Sequence, residues 1–193
     1  MFLRAMEGSQ IGNFIAFLDR VDLSSAETLC DVGGASGLFC GLAAQRYPHL
    51  QAVTFDLPAV ESVAERILAA MQVDDRVTVV SGDFFVAELP GPDVLVMGNV
   101  LHGWDNDQKQ MLIRKAYASL KEGGRLIAIE NVIDDARREN TFGLLMSLNM
   151  LIENPGGFDY TGAQFDNWCR AAGFTHTEVI PLAGPASAAI AYK

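Results

Sequence analysis

Hydrophobic positions along this chain follow two periods. Residues 2–20 place Ile11, Phe14, Ile15 and Leu18 at helical spacing, which predicts an amphipathic helix that needs a surface to pack on. Short apolar runs at 27–32, 52–56, 76–80, 93–97 and 125–132 predict five strands. Several are apolar throughout, as expected when both faces of a sheet are covered. Between them, 38–47, 59–72 and 105–120 read as helices, punctuated by Pro48, by Leu57-Pro58 and by Gly123-Gly124. In 105–120, Leu112, Ile113, Ala116 and Leu120 form the inward face. Strands alternating with helices predict a parallel sheet wound by right-handed crossovers.

The pattern changes after the fifth strand. Helices are predicted at 140–152 and 161–172, separated by the breaker Asn154-Pro155-Gly156-Gly157. Closing strands at 174–180 and 186–192 are joined by the short turn Ala183-Gly184-Pro185, which favours an antiparallel pair. No repeat or linker interrupts the chain, so a single domain is expected. The apolar stripe Leu144, Leu145, Leu148, Met150, Leu151 and Ile152 reads as core, although Met146, Asn149 and Met150 also suit an adaptable apolar pocket.

Composition narrows the function. The 193 residues are half hydrophobic and one fifth charged, which excludes disorder. Fourteen basic against 24 acidic residues give a formal charge of −10, which argues against a nucleic-acid surface. No apolar run approaches the ~18 residues that span a membrane, and the first residues lack the apolar core of a signal peptide. Cys30, Cys40 and Cys169 have neither C-x-x-C nor metal-ligand spacing, so reduced thiols in the cytoplasm are expected and no metal site is.

In a parallel sheet, ligands bind beyond the carboxyl ends of the strands. The residues there are Asp31 with a glycine loop, Asp56, Asp83, His102 and Glu130. The loop Asp31-Val32-Gly33-Gly34-Ala35-Ser36-Gly37 opens a helix, so backbone N–H groups and the positive end of a dipole face the ligand. It lacks the lysine of a phosphate loop, and no frame fits the G-x-G-x-x-G of a dinucleotide loop. An acid just before the glycines would repel pyrophosphate but suit a ligand that carries an ammonium and a sulfonium. Asp56 is placed to accept from ribose hydroxyls and Asp83 from an adenine amino group. Singly, each acid reads equally well as a cap or a solvated loop residue.

His102, in Val100-Leu101-His102-Gly103-Trp104-Asp105, follows the fourth strand. Its ordinary pKa near neutrality suits it to remove a proton from a hydroxyl; the plainer alternative is a structural turn histidine. Glu130 ends the neighbouring strand, where a carboxylate could fix the imidazole tautomer.

Together these stretches resemble the small-molecule O-methyltransferase family that includes the caffeate, acetylserotonin and hydroxyneurosporene enzymes. Phe55-Asp56-Leu57-Pro58, Gly82-Asp83-Phe84-Phe85, Leu101-His102-Gly103-Trp104-Asp105, Gly123-Gly124-Arg125-Leu126 through Glu130, and Asn149-Met150-Leu151 through Asn154-Pro155-Gly156-Gly157 follow the glycine loop in family order, over about 27–175. The resemblance implies a Rossmann-like class I methyltransferase fold: a mostly parallel seven-stranded sheet with an antiparallel C-terminal strand and helices on both faces. It implies S-adenosylmethionine as cofactor and a small hydroxyl compound as substrate. Gly33, Gly34, Gly37, Asp31, Asp56, Leu57, Asp83, Phe84 and Gly98 would surround the cofactor. His102 would be the general base, braced by Glu130 and Asp159. Trp104, Met146, Met150 and Asn154 would meet the substrate. Three positions depart from the family: Gly98 stands where plant members carry lysine, Gly103 replaces Asp or Asn, and Asp159 is shorter than the usual Glu.

The resemblance also divides the chain into a connecting helix, 1–22, and a catalytic domain, 23–193. The family's N-terminal dimerisation domain is expected to be absent, leaving a homodimer or a partner to complete the pocket. Two other readings stand beside the enzyme: a non-catalytic S-adenosylmethionine-binding module acting with a partner, and, against the failed glycine frame, an NAD-dependent oxidoreductase.

Overall fold

The computed structural model describes residues 2–193; Met1, the first residue of the expected connecting segment, lies outside the described residues. The helix α1 (Phe2–Arg20) precedes β1 (Thr28–Val32), α2 (Leu38–Arg46), β2 (Gln51–Asp56), α3 (Glu61–Ala70), β3 (Val77–Ser81) and β4 (Val94–Gly98). A single 3-10 turn at Leu101–Gly103 leads to α4 (Asn106–Ser119) and β5 (Arg125–Glu130). Then come α5 (Thr141–Glu153), α6 (Gly162–Ala172), β6 (His176–Pro181) and β7 (Ser187–Tyr192). The breaks fall where turn chemistry demands them. Asp105 and Thr161 cap α4 and α6 in reciprocal pairs with Gln108 and Gln164, and Gly173, at φ 115°, ends α6.

The strands form one seven-stranded sheet in the order β3-β2-β1-β4-β5-β7-β6. The β1–β2, β1–β4, β2–β3 and β4–β5 pairs are parallel, while β7 runs antiparallel to both β5 and β6. This is the expected architecture, with the antiparallel strand inserted rather than added at the edge. Helices cover both faces over two apolar layers. One layer gathers Phe17, Leu23, Phe39, Leu50 and Ile127 beneath α1, α2 and α3. The other gathers Leu95, Met97, Leu112, Ile113, Phe165 and Trp168 beneath α4 and α6.

Two apolar stretches are less covered than their periodicity predicts. Phe17 and Leu18 of α1 are buried, but Ile11 and Ile15 are exposed. On α5, Met150 is buried, whereas Phe142, Leu145, Leu148, Leu151 and Ile152 face outward, Ile152 at 84% exposure. The expected core stripe is therefore largely a surface. The helix packs on the turn that carries His102 rather than on the sheet.

Candidate active site

The carboxyl ends of β1, β2 and β4 open into a cleft of about 1140 Å³. On one side lies the glycine loop. Gly33 donates its N–H to Phe55 O at 2.8 Å and takes φ 75°, which only glycine adopts freely. A β-carbon on Gly34 would lie 2.4 Å from Thr54 Oγ1 and 2.9 Å from Asp31 Oδ2, so the loop closes directly over both side chains. Ala35 also has a left-handed backbone, φ 50°, and its N–H is held by Asp56 Oδ2 at 2.8 Å. The Asp56 carboxylate thus ties the loop down while lining the cleft. Behind the loop Asp31 is almost fully buried. Burial, reinforced by the charge of Asp56, pushes its carboxyl up to about 7.

A cluster of buried polar residues surrounds His102, which lines the same cleft. The ring Nδ1 is 3.2 Å from Asp159 Oδ1, and the His102 backbone N–H donates to Glu130 Oε1 at 3.2 Å. Asp159 arrives on the chain segment after α5. Its placement follows from the Asn154–Gly157 turn: a β-carbon on Gly157 would lie 3.0 Å from Met150 O and 3.2 Å from Gly103 O, so glycine lets this turn lie closely against the histidine turn. Phe158 then donates its N–H to His102 O at 2.9 Å. Burial opposes charge on the imidazole, but the bond to Asp159 and the charges of Glu130 and Asp159 outweigh it, so its pKa lies above the ordinary histidine value. Burial likewise raises the Glu130 carboxyl. The engaged Nδ1 leaves Nε2 as the nitrogen free to exchange a proton.

Phe84, Trp104, Phe142, Met146 and Met150 give the cleft apolar walls, and Asn99, Asn131, Asn149 and Asn154 give it polar points. Trp104 packs edge to face against Phe84 and Phe85, its ring centre 4.6 Å from that of Phe85, and the two phenyl rings meet at a tilt. Gly8, Gly12, Gln10, Ile11 and Asn13 of α1 form a further wall.

Of the residues singled out in the sequence, Gly33, Asp56, Phe84, His102, Trp104, Met146, Met150 and Asn154 line this cleft. Asp31, Glu130 and Asp159 stand behind it as buried support, and Gly34, half-buried, closes over Asp31. Gly37 begins α2, with φ 73°. Asp83 is exposed and turns its carboxylate onto the N–H of Phe85 at 2.8 Å. Leu57 is exposed at the mouth of β2. Gly98 packs against the Phe14 ring of α1. Three contributors escaped sequence reasoning. Asn99 directly follows β4, the same signal that selected the acids. Lys109 and Lys115, on α4, look like ordinary helix-surface lysines in a one-dimensional pattern. Lys109 is fully buried. Lys115 donates from Nζ to Phe84 O at 2.6 Å and Ala87 O at 2.7 Å.

Comparison with known proteins gives this geometry a lineage. The chain is 34% identical over 192 residues to the tetracenomycin polyketide synthesis 8-O-methyl transferase of Streptomyces glaucescens, covering 100% of this chain and 57% of that protein. The crystal structure of human N-acetylserotonin methyltransferase in complex with SAM superposes with a TM-score of 0.91 at 28% identity, over 100% of this chain and 55% of the other. An O-methyltransferase family 2 protein from Planctomyces limnophilus, in complex with apigenin, gives a TM-score of 0.93 at 26% identity, over 100% and 59%. The chain spans about half the length of the curated relatives it matches. The O-methyltransferase domain model matches residues 1–175, and the chain belongs to that family.

Proposed function

We propose that this chain transfers a methyl group from S-adenosylmethionine to a hydroxyl of a small aromatic or polyketide-like molecule, with His102 as general base. The observation that carries the reading is the pairing of His102 Nδ1 with Asp159 at 3.2 Å in a ring that lines the same cleft as the glycine loop.

The residues fit the cofactor. A buried carboxylate such as Asp31 is stabilised in its ionised form by a neighbouring cation, which a sulfonium or ammonium supplies. The N–H groups of the glycine loop and the start of α2 suit the carboxylate end of the same molecule. Asp56 offers a carboxylate to ribose hydroxyls, and Phe84 an aromatic face to adenine. When bound, S-adenosylmethionine supplies an activated methyl group on a good leaving group. The protein's part is then positioning and proton removal. Apolar walls from Trp104, Met146 and Met150 hold an aromatic acceptor and exclude water, and orientation alone supplies roughly 7–11 kcal/mol in favourable cases. Nε2 of His102 takes the hydroxyl proton as the oxygen attacks. Asp159 holds the tautomer and, with Glu130, stabilises the imidazolium that results.

The bared apolar row of α5 and the exposed Ile11 and Ile15 flank the cleft, and a homodimer or a partner domain covers them. The same row favours a second reading, a cofactor-binding module that acts only with its partner. The three buried, free thiols suit the reducing cytoplasm. Among the described residues, no helix is long and apolar enough to cross a membrane.

Calorimetry with S-adenosylmethionine, followed by methyl transfer over a panel of phenols and hydroxylated polycyclic acceptors, tests the proposal. His102→Asn should cut transfer by about 10²–10⁴-fold while cofactor affinity stays near that of the unaltered chain. Undiminished transfer by His102→Asn removes the base assignment. Cofactor binding without turnover favours the module. Failure to bind the cofactor at all removes the whole reading.

A further inference from the structure

Lys109 is a buried charged group beside the site that the mechanism leaves unused. It lies on the first turns of α4 with no exposed surface. Its ammonium donates to the backbone O of Trp104, two residues after His102. It also sits 3.5 Å from the centre of the Phe158 ring, next in sequence to Asp159. One side chain therefore joins the turn that carries the histidine to the segment that carries its carboxylate partner.

The charges around His102 explain why a cation is needed there. Glu130 approaches from the end of β5, Asp159 from the segment after α5, and Lys109 from α4. Asp105, at the head of α4, acts on Lys109, and the Tyr160 hydroxyl faces Glu130. From α5, Glu153 reaches the cleft with its carboxylate held by Asn149 at 2.7 Å. With both buried carboxylates ionised and no cation, the cluster of Glu130, Asp159 and His102 carries −2 when the imidazole is neutral. That imbalance favours the protonated ring, and an imidazolium cannot accept a proton. With Lys109 included, the cluster carries −1 with a neutral ring and zero with a charged one.

We infer that Lys109 is a positioning residue for the proposed base: its ammonium offsets one of the two carboxylates around His102 and clasps the two segments together, so that the imidazole releases its proton more readily than the carboxylates alone would allow. The inference rests on the reading of His102 as general base. Consistent with it, burial draws the Lys109 ammonium down to about 8, while Glu130, Asp159 and Asp105 hold it charged. The group is therefore mostly cationic at neutrality.

NMR titration of the imidazole tests this without an acceptor, because the chain has only three histidines, His49, His102 and His176. His102→Asn assigns the signal. Lys109→Met keeps the packing on Phe158 and removes the charge, and should raise the His102 midpoint. Lys109→Arg restores a cation and should return the midpoint toward that of the unaltered chain. Should Lys109→Met fold poorly, the unaltered chain still decides the matter: the Lys109 Nζ resonance should step at the His102 midpoint. A His102 midpoint unmoved in a folded Lys109→Met variant, or a Lys109 resonance indifferent to His102, overturns the inference and leaves the base reading intact. Undiminished methyl transfer by His102→Asn overturns the base reading instead, whatever the titrations show.

Discussion

Asp31 is a carboxylate taken almost wholly out of water at the end of β1, beneath a loop that needs glycine at 33 and 34. Its carboxyl rises from 3.8 to about 7, first through burial and then through Asp56. The sign of the consequence is fixed. Between those values the folded chain keeps a proton that the unfolded chain has lost, so the ligand-free protein loses stability as pH rises through this window. At about 1.4 kcal/mol per unit the loss reaches a few kcal/mol. A cationic ligand reverses the balance by favouring the ionised form. Affinity for S-adenosylmethionine should therefore fall below pH 7, by up to about tenfold per unit. Asp31→Asn should stabilise the ligand-free chain at pH 8, weaken cofactor binding and abolish its pH dependence. Thermal unfolding and calorimetry between pH 6 and 8 read all three, and a pH-independent affinity in the unaltered chain contradicts the account. At this scale the sequence was informative wherever position alone selects chemistry. Asp31, Asp56, His102 and Glu130 stand at strand ends, and strand ends were predictable. Lys109 was illegible because a helical period records which residues repeat, not which of them a neighbouring turn will bury.

Among the elements, α4 does more than cover the sheet. Lys115, one and a half turns beyond Lys109, holds two carbonyls of the segment after β3, and that segment carries Phe84 into the cleft. Asp83 O accepts from the N–H groups of Val86 and Ala87 at 3.0 and 2.8 Å within the same turn. Lys115→Met keeps the stem and removes both charge-assisted bonds, at a cost of about 1–3 kcal/mol to the local structure. Faster amide exchange at Val86 and Ala87 and weaker cofactor binding are the expected outcomes; unchanged exchange would deny Lys115 this role. The elements themselves were largely legible. Strand and helix limits fall within about two residues of the hydrophobic pattern, because Pro58, the Asp105 and Thr161 caps and Gly173 each act locally. The outward turn of α5 was not. An apolar period shows that a face needs cover without showing what provides it.

For the whole molecule, two opposing features govern association. The exposed apolar residues of α1 and α5 favour contact between copies, while the net charge of −10 repels them. Association should therefore strengthen with added salt, the reverse of a charge-driven dimer. The double variant Leu148→Asp, Ile152→Asp should remain monomeric throughout. Sedimentation velocity at low and high ionic strength checks this, and a chain that is monomeric under all conditions shows that the face serves something other than a second copy.

The placement of β7 has a consequence for synthesis. Residues 187–192 occupy the gap between β5 and β6 and pair with β5 from Arg125↔Tyr192 to Glu130↔Ser187. A ribosome releases them some sixty residues after β5 has emerged. Until then a nascent chain exposes the apolar strand Leu126–Ile129 along an unpaired edge, the kind of edge that recruits foreign strands. Glu130 stands at the tip of that strand opposite Ser187, so the strand end that supports the His102 turn gains its second neighbour only when β7 arrives.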